Sequence, residues 1–296
     1  MTSLSTKNVS ASVKGLLYNI ARAQKRPLQE LLQYYCMERF LFRLSESAYQ
    51  NRFILKGALL FKVWEIADSR ATMDIDALAK TSNSLDNIIA LVKELCELTS
   101  SVDDGIQFPS SSVTGQVMQL QREYEGVRIR FKAQIGSARI PMQIDIGFGD
   151  IVTPYPADVI YPTLLDLPPP KLKAYPPQTV IAEKIHTMVD KGDSNSRIKD
   201  YYDVWLLIRL PGITFPKLPL ALSRTFETRG MTFDLTLTCS AIEQYAKLPQ
   251  TQTLWNLFKQ KELPNLNHIS SFEDLAKDIL EFLQKELTSE KQESHV

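Results

Sequence analysis

Residues 72–78 read TMDIDAL, and this short stretch is the clearest sign of a β-sheet in the chain. Hydrophobic and acidic residues alternate in it, which is the period of a β-strand with one buried face. Met73, Ile75 and Ala77 would then lie on one face, with Asp74 and Asp76 side by side on the other. Two neighbouring carboxylates repel each other unless a cation lies between them, and hard oxygen ligands of this kind suit Mg²⁺. Alone, however, such a pair is most often solvated surface.

A second acidic strand strengthens the prediction of a metal site. Residues 123–150, EYEGVRIRFKAQIGSARIPMQIDIGFGD, alternate in the same way on both sides of Gly136-Ser137, which predicts a β-hairpin. Its second arm places Asp145 on the polar face, so that three carboxylates could serve a two-metal phosphoryl-transfer site. If the polar faces of the two arms pair, Arg130 lies beside Asp145 and either neutralises it or reaches toward a phosphate.

The rest of the chain predicts an α+β protein. Helices are predicted where apolar residues recur every three or four positions, and the proline-rich segment 155–177 is predicted to be a linker or an extended edge segment. The predicted helices cover residues 12–24, 27–46, 52–66, 84–99, 178–191, 197–210, 217–228, 236–247, 251–261 and 271–287. We therefore expect a core with a small mixed sheet and N-terminal helices at 1–165, followed by a mainly helical domain at 166–296.

Composition limits the partners and the compartment. The 296 residues include 34 basic and 34 acidic side chains, so the net charge gives no overall field for a polyanion, and a nucleic acid would need a local patch. The three cysteines have no metal-binding or disulfide spacing, and neither a signal segment nor a long apolar run occurs. We expect a cytoplasmic protein without a membrane partner.

The predicted helix at 178–191 carries an inward lysine. Lys184 shares a face with apolar residues three and four positions away, so its ammonium needs an anion, either a triphosphate or Asp203. Asp200 and Asp203 likewise lie on the apolar face of the next predicted helix and need cations, for which Arg197 and Lys199 are near in sequence. A purely structural ion-pair network is the alternative explanation for these residues.

Four separated blocks of the chain together resemble the AbiEii/AbiGii toxin family of nucleotidyltransferases. They are FILKGALLFKVW at 53–64, SRATMDIDALA at 69–79, the hairpin at 123–150, and TVIAEKIHTMVDKGDSNSRIKDYYDVWLLI at 179–208. The resemblance extends from about residue 38 to residue 210 and more loosely to the end of the chain. It implies a polymerase-β-like nucleotidyltransferase core with a helical C-terminal lobe.

The resemblance also implies the substrates and partners. These are an NTP, Mg²⁺ or Mn²⁺, a macromolecular acceptor such as the 3′ end of tRNA, and an antitoxin encoded beside the toxin. Two alternatives remain open, one of which is a noncatalytic nucleotide-binding or antitoxin-binding module on the same scaffold. The other is a small-molecule nucleotidyltransferase that modifies antibiotics. Sequence motifs of serine hydrolases, P-loop proteins and zinc proteases do not occur.

Carried over position by position, the resemblance assigns roles to individual residues. Asp74, Asp76 and Asp145 match the metal-binding carboxylates, which with Lys184 would be catalytic. By the same resemblance, the residues expected to bind substrate or nucleotide are Lys56, Gly57, Arg70, Asp200 and Asp203. Arg130, Arg197 and Lys199 join them because of their places in the hairpin and beside the inward carboxylates. The sequence departs from the family at Ala58, because many relatives have glycine or serine there, and a hydroxyl that could bind phosphate is missing.

Overall fold

The chain folds into two compact units. The computed structural model describes residues 8–66, 69–119, 125–263 and 271–293. Unit 1 comprises Met1–Val63, Thr72–Gly149 and Asp158–Ala174, and unit 2 comprises Trp64–Ala71, Asp150–Ala157 and Tyr175–Val296. The boundary expected at residue 165 lies within unit 1, because the chain continues from there into a further strand of the sheet.

Unit 1 is built on a mixed sheet, as the sequence predicts. The strands of its described residues are β1 (Phe53–Lys56), β2 (Ile75–Ala79), β3 (Thr114–Gln119), β4 (Glu125–Ile135), β5 (Ala138–Gly147), β6 (Ala157–Ile160) and β7 (Lys171–Ala174). They lie in the order β3-β4-β5-β2-β1-β7-β6. β2 is parallel to β5 and antiparallel to β1, so both acidic strands are central and adjacent.

Helices complete each unit. Unit 1 contains α1 (Val9–Gln24), α2 (Leu28–Glu46), the short α3 (Leu60–Val63) and α4 (Leu85–Glu97). Unit 2 contains α5 (Pro177–Lys191), α6 (Ile198–Ile208), α7 (Leu218–Thr228), α8 (Leu235–Ala246), α9 (Pro249–Glu262) and α10 (Phe272–Glu293). The α+β class is therefore confirmed. Among the described residues, no helix has the length and apolar character needed to cross a membrane.

One predicted helix is wrong. Residues 52–66 are mostly apolar and were predicted to be helical, but they contain β1, a 3-10 turn at Gly57–Leu59 and the four-residue α3. Phe53, Ile54 and Leu55 are all buried, because β1 lies inside the sheet and both of its faces are covered. A strand buried on both faces is a continuous apolar run, and periodicity alone does not distinguish it from a buried helix.

The proline-rich segment contains two short strands. β6 lies at the outer edge of the sheet, as an extended edge segment would. β7 lies inside the sheet and pairs in parallel with β1, with Leu55 opposite Ala174. Because β7 has only four residues and lies between prolines, its place in the sheet depends on pairing that is remote in sequence.

Candidate active site

The two acidic strands bring carboxylates into direct opposition. Asp76 of β2 and Asp145 of β5 are register partners across the parallel pair, so their side chains project from the same face of the sheet. The residues that alternate with them, Ile75, Ala77 and Ile144, are buried on the opposite face. The alternation in TMDIDAL therefore has the predicted consequence, namely one apolar face and one acidic face.

Cations flank this pair along the same row. Lys56 of β1 is the register partner of Asp76, and Arg128 of β4 is the register partner of Asp145. Arg128 forms two hydrogen bonds with Asp145, from Nε to Oδ1 at 2.7 Å and from Nη2 to Oδ2 at 2.5 Å. Four neighbouring strands thus present the sequence cation, carboxylate, carboxylate, cation.

The prediction that Arg130 lies beside Asp145 is wrong, because Arg128 occupies that position. The turn of the hairpin contains two residues, Gly136 and Ser137, and pairing outward from it one residue at a time brings Arg128 opposite Asp145. Arg130 instead lies opposite Gln143. The polar faces of the two arms do pair as expected, but the register differs from the predicted one by two residues.

Hydrogen bonding to Asp145 raises the pKa of Arg128, and the nearby charges of Asp145, Asp74 and Asp76 raise it further. All three carboxylates therefore act electrostatically on the same guanidinium. An arginine in this field is permanently charged and stabilises the acidic face when no other cation is bound.

Gly57 approaches Asp76 more closely than any other residue type could. Its φ is +72°, in the left-handed region, and a Cβ built on it would lie 2.0 Å from Oδ2 of Asp76. Immediately after it, Ala58 is buried in the 3-10 turn. A glycine at position 57 thus has a physical reason, because its bare Cα gives the Asp76 carboxylate the space that it occupies.

Asp74 is held from α2 through Thr72. The Thr72 hydroxyl donates to Oδ1 of Asp74 at 2.7 Å, and the Thr72 backbone N–H donates to the Tyr34 hydroxyl at 3.0 Å. From the same helix, the Gln33 amide donates to the carbonyl oxygen of Met73 at 3.1 Å. These contacts fix the backbone of the two residues before Asp74 and one of its carboxylate oxygens.

The donor chemistry fits a divalent cation, although the observed side chains do not form a complete ligand set. Within the described part of the chain, no group of three histidine, cysteine, aspartate or glutamate residues has a metal-binding arrangement. Arg128 engages both oxygens of Asp145, and Thr72 engages one oxygen of Asp74. Asp74 and Asp76 retain the hard-oxygen character that Mg²⁺ requires, and Asp145 could join them once Arg128 releases it.

The remaining predicted residues form a separate ion-pair cluster in unit 2. Lys184 of α5 contacts Asp200 at 2.6 Å and Asp203 at 2.8 Å, both on α6. Arg70 donates to both oxygens of Asp203, at 3.1 and 3.0 Å, and Arg197 contacts Asp200 at 2.8 Å. The inward orientation of Lys184 and its contact with Asp203 are thus observed.

The charges within the cluster shift the pKa values of its members. Burial lowers the pKa of Lys184, but the carboxylates outweigh it and raise the pKa above the ordinary value. Burial likewise opposes ionisation of Asp200, yet Lys184 and Arg197 lower its pKa. Lys199, which is exposed, has a pKa lowered by desolvation and by repulsion from Arg70 and Arg197. Four cations surround two carboxylates, so the cluster carries excess positive charge.

The sequence prediction omitted three residues of the unit 1 site: Arg128, Thr72 and Tyr34. The two-residue turn would have identified Arg128 by counting outward from it. Thr72 stands two positions before Asp74, a spacing from which a hydroxyl can reach a carboxylate along an extended chain. The contact of Tyr34 with Thr72 could not be predicted from a local pattern, because Tyr34 lies on a helix almost forty residues earlier in the sequence.

Comparison with known proteins agrees with this geometry. The chain matches the family described as "Nucleotidyl transferase AbiEii toxin, Type IV TA system" over residues 39–283. No curated protein matches it in sequence. Two crystal structures from Helicobacter pylori share its fold at 15% identity, each aligning with 90% of this chain. JHP933 aligns over 95% of its own length with a TM-score of 0.51, and a candidate nucleotidyltransferase over 99% with a TM-score of 0.52. The chain therefore belongs to the AbiEii family of nucleotidyltransferase toxins.

Proposed function

We propose that this nucleotidyltransferase uses Mg²⁺ to transfer a nucleoside monophosphate from an NTP to the 3′-hydroxyl of an RNA, with tRNA as the preferred acceptor. The opposition of Asp76 and Asp145, with Asp74 two residues from Asp76, carries this proposal. Its physiological setting would be a toxin–antitoxin pair with an antitoxin encoded nearby, acting in phage defence.

The reaction exchanges one phosphate ester bond for another. The acceptor oxygen bonds to the α-phosphorus of the NTP, the bond from that phosphorus to the bridging oxygen breaks, and pyrophosphate leaves. Bound divalent cations would lower the pKa of the acceptor hydroxyl and neutralise charge on the leaving group. Asp74 and Asp76 would hold these cations, and Asp145, released by Arg128, would complete the site beside the attacking hydroxyl. The hydroxyl proton passes to water or to a carboxylate.

Residues that bind phosphate form the second part of the proposal. Lys56, the register partner of Asp76 at the end of β1, and Gly57, whose bare backbone meets Asp76, mark a place where a triphosphate could come close to the sheet. For Arg70 and Lys184 we propose that they steady phosphate groups, with Arg197, Lys199, Asp200 and Asp203 forming the rest of that cluster. The excess positive charge of the cluster supports this role, because negatively charged phosphate oxygens would neutralise it.

Labelled NTPs test the proposal directly. The protein is incubated with each α-labelled NTP, Mg²⁺ or Mn²⁺ and total RNA, and label is measured in the RNA fraction. Asp74→Asn and Asp76→Asn should each abolish transfer. Asp158→Asn is the matched control, because its side chain is 83% exposed on β6 and the substitution removes the same charge. No transfer by the wild type, or equal transfer by Asp76→Asn, would refute the proposal.

One observation favours a second candidate. The Arg128–Asp145 ion pair neutralises a carboxylate that a two-metal site needs, as expected for a noncatalytic module that binds a nucleotide or an antitoxin. Growth arrest on expression that survives Asp76→Asn would favour this module. Label recovered in an added aminoglycoside instead of RNA would identify a small-molecule nucleotidyltransferase.

A further inference from the structure

An open groove in unit 1 begins at Asp74 and runs away from β1. Its volume is about 570 Å³, which is within the range of small-molecule sites. It is bordered by β3, β4 and β5 and by Gln33 of α2. Its lining residues are Gln33, Met73, Asp74, Ser112, Thr114, Arg130, Phe131, Lys132, Pro141, Met142 and Gln143.

The groove has the charge of an anion site. Arg130 and Lys132 are both exposed on β4, and neither forms an ion pair with a described residue. Among the lining residues, Asp74 is the only carboxylate, and it lies at the end of the groove nearest the acidic row. The neighbouring cation Arg128 is paired with Asp145, whereas Arg130 and Lys132 are available to a ligand.

The inner wall adds a buried hydrogen-bond acceptor and an apolar rim. Gln33 is 1% exposed, and its Oε1 has no hydrogen-bond partner among the described residues. Its amide nitrogen is fixed by the carbonyl oxygens of Met73 and Pro141, so Oε1 has a defined orientation. A buried acceptor without a donor costs free energy that a ligand N–H would recover. Met73 is 49% exposed at the same place and offers an apolar surface.

The groove and the proposed triphosphate site lie on opposite sides of Asp76. Lys56 and Gly57 lie on the β1 side of β2, where the triphosphate is proposed to bind. The groove lies on the other side of β2, toward β4 and β3. In a transfer between two substrates, the attacking and leaving oxygens lie on opposite sides of the transferred phosphorus. The groove therefore has the position of the acceptor.

We propose that this groove binds the 3′-terminal nucleotides of the acceptor strand, an inference that rests on the proposed function. Arg130 and Lys132 contact the last phosphodiester groups. The terminal base packs against Met73, and its N–H pairs with Oε1 of Gln33 after a small shift of the groove wall, because that oxygen is closed to solvent in the free protein. This arrangement places the terminal ribose next to Asp74. It also supplies the local basic patch that a chain of zero net charge needs to bind nucleic acid.

Binding and kinetics with the double variant Arg130→Gln/Lys132→Gln test the groove. The probe is a fluorescein-labelled single-stranded RNA dodecamer with a free 3′-hydroxyl, measured by anisotropy over a series of salt concentrations. The control, Arg139→Gln/Lys80→Gln, removes two exposed cations of unit 1 that do not line the groove. We expect the dissociation constant to rise about tenfold or more, and the log–log salt dependence to weaken by roughly 1.4, about 0.7 for each phosphate that is no longer neutralised. The control should match the wild type.

Two further readouts locate the strand end and separate this inference from the proposed function. RNA with 4-thiouridine at its 3′ terminus should crosslink to a peptide that contains Met73 or Gln33. In the transfer assay, the double variant should raise KM for the RNA and leave KM for the NTP unchanged. Wild-type crosslinking without transfer would refute the function and leave the groove intact. Transfer with an unchanged KM for RNA, or crosslinks confined to other surfaces, would refute the groove.

Discussion

Substituting alanine for Gly57 tests the geometry of the acidic row most sharply. The new Cβ would lie 2.0 Å from Oδ2 of Asp76 and 2.7 Å from its Cβ and Cγ. These separations are far below van der Waals contact, so the Asp76 side chain must leave its position. The backbone also remains at a φ of +72°, which disfavours any residue with a Cβ.

Two costs contribute to the expected fall in stability. A left-handed φ costs an L-residue about 1–2 kcal/mol. Rotating the Asp76 side chain off its preferred rotamer moves Oδ2 and Cγ and costs about 0.5–1.5 kcal/mol more. Its Cβ does not move in that rotation, so the backbone of one of the two segments must also shift. The free energy of unfolding should therefore fall by at least roughly 2 kcal/mol. Transfer activity should fall more severely, by about a hundredfold, because a displacement of about 1 Å in a catalytic group has that effect on rate.

Gly136→Ala is the matched control. Gly136 lies in the same unit at a φ of +58°, but a Cβ there would meet only Ser10, at an ordinary 3.7 Å. Urea unfolding should show a fall of about 1–2 kcal/mol for this control, from the backbone alone. Its transfer activity should equal that of the wild type. If Gly57→Ala and Gly136→Ala behave alike in both assays, the close approach of Gly57 to Asp76 does not matter and the reasoning fails.

Three further predictions concern hydrogen bonds and buried charges. Thr72→Val removes the hydroxyl that donates to Asp74, so it should lower activity and increase the Mg²⁺ concentration needed for half-maximal rate. Thr72→Ser keeps a hydroxyl and should restore both quantities. Equal behaviour of the two variants would contradict this role of Thr72. Lys184→Met should lower the free energy of unfolding in urea by roughly 3 kcal/mol, because it leaves buried carboxylates short of a cation. Adding Asp200→Asn should recover part of that loss. If the double variant recovers nothing, the pairing of Lys184 with Asp200 does not explain the loss. Burial raises the pKa of Glu38 to about 7, so the native state binds more protons than the unfolded state between about pH 5 and 7, and stability should fall by up to about 3 kcal/mol as pH rises through that range. Glu38→Gln should flatten this slope in unfolding measurements, whereas an unchanged slope would assign it to other groups.

The sequence by itself determined the acidic face. Strict alternation in TMDIDAL and in the hairpin leaves only one way to bury the apolar side chains, which places Asp74, Asp76 and Asp145 on polar faces. The two-residue turn also determined the register of the hairpin, although the prediction placed Arg130 where Arg128 lies. Local periods and turns of this kind are encoded within a few residues, so they can be recognised without the fold.

Tertiary structure alone decided what surrounds those carboxylates. The apolar segment that contains Gly57 became a strand because both faces of β1 are covered, and this pairing brought Gly57 against Asp76. Tyr34 reaches the backbone of Thr72 from a helix almost forty residues earlier. Such contacts depend on packing between segments remote in sequence, whose energies are not expressed in any local pattern. The sequence therefore specified which residues are polar and where they face, and the packed fold determined which of them meet.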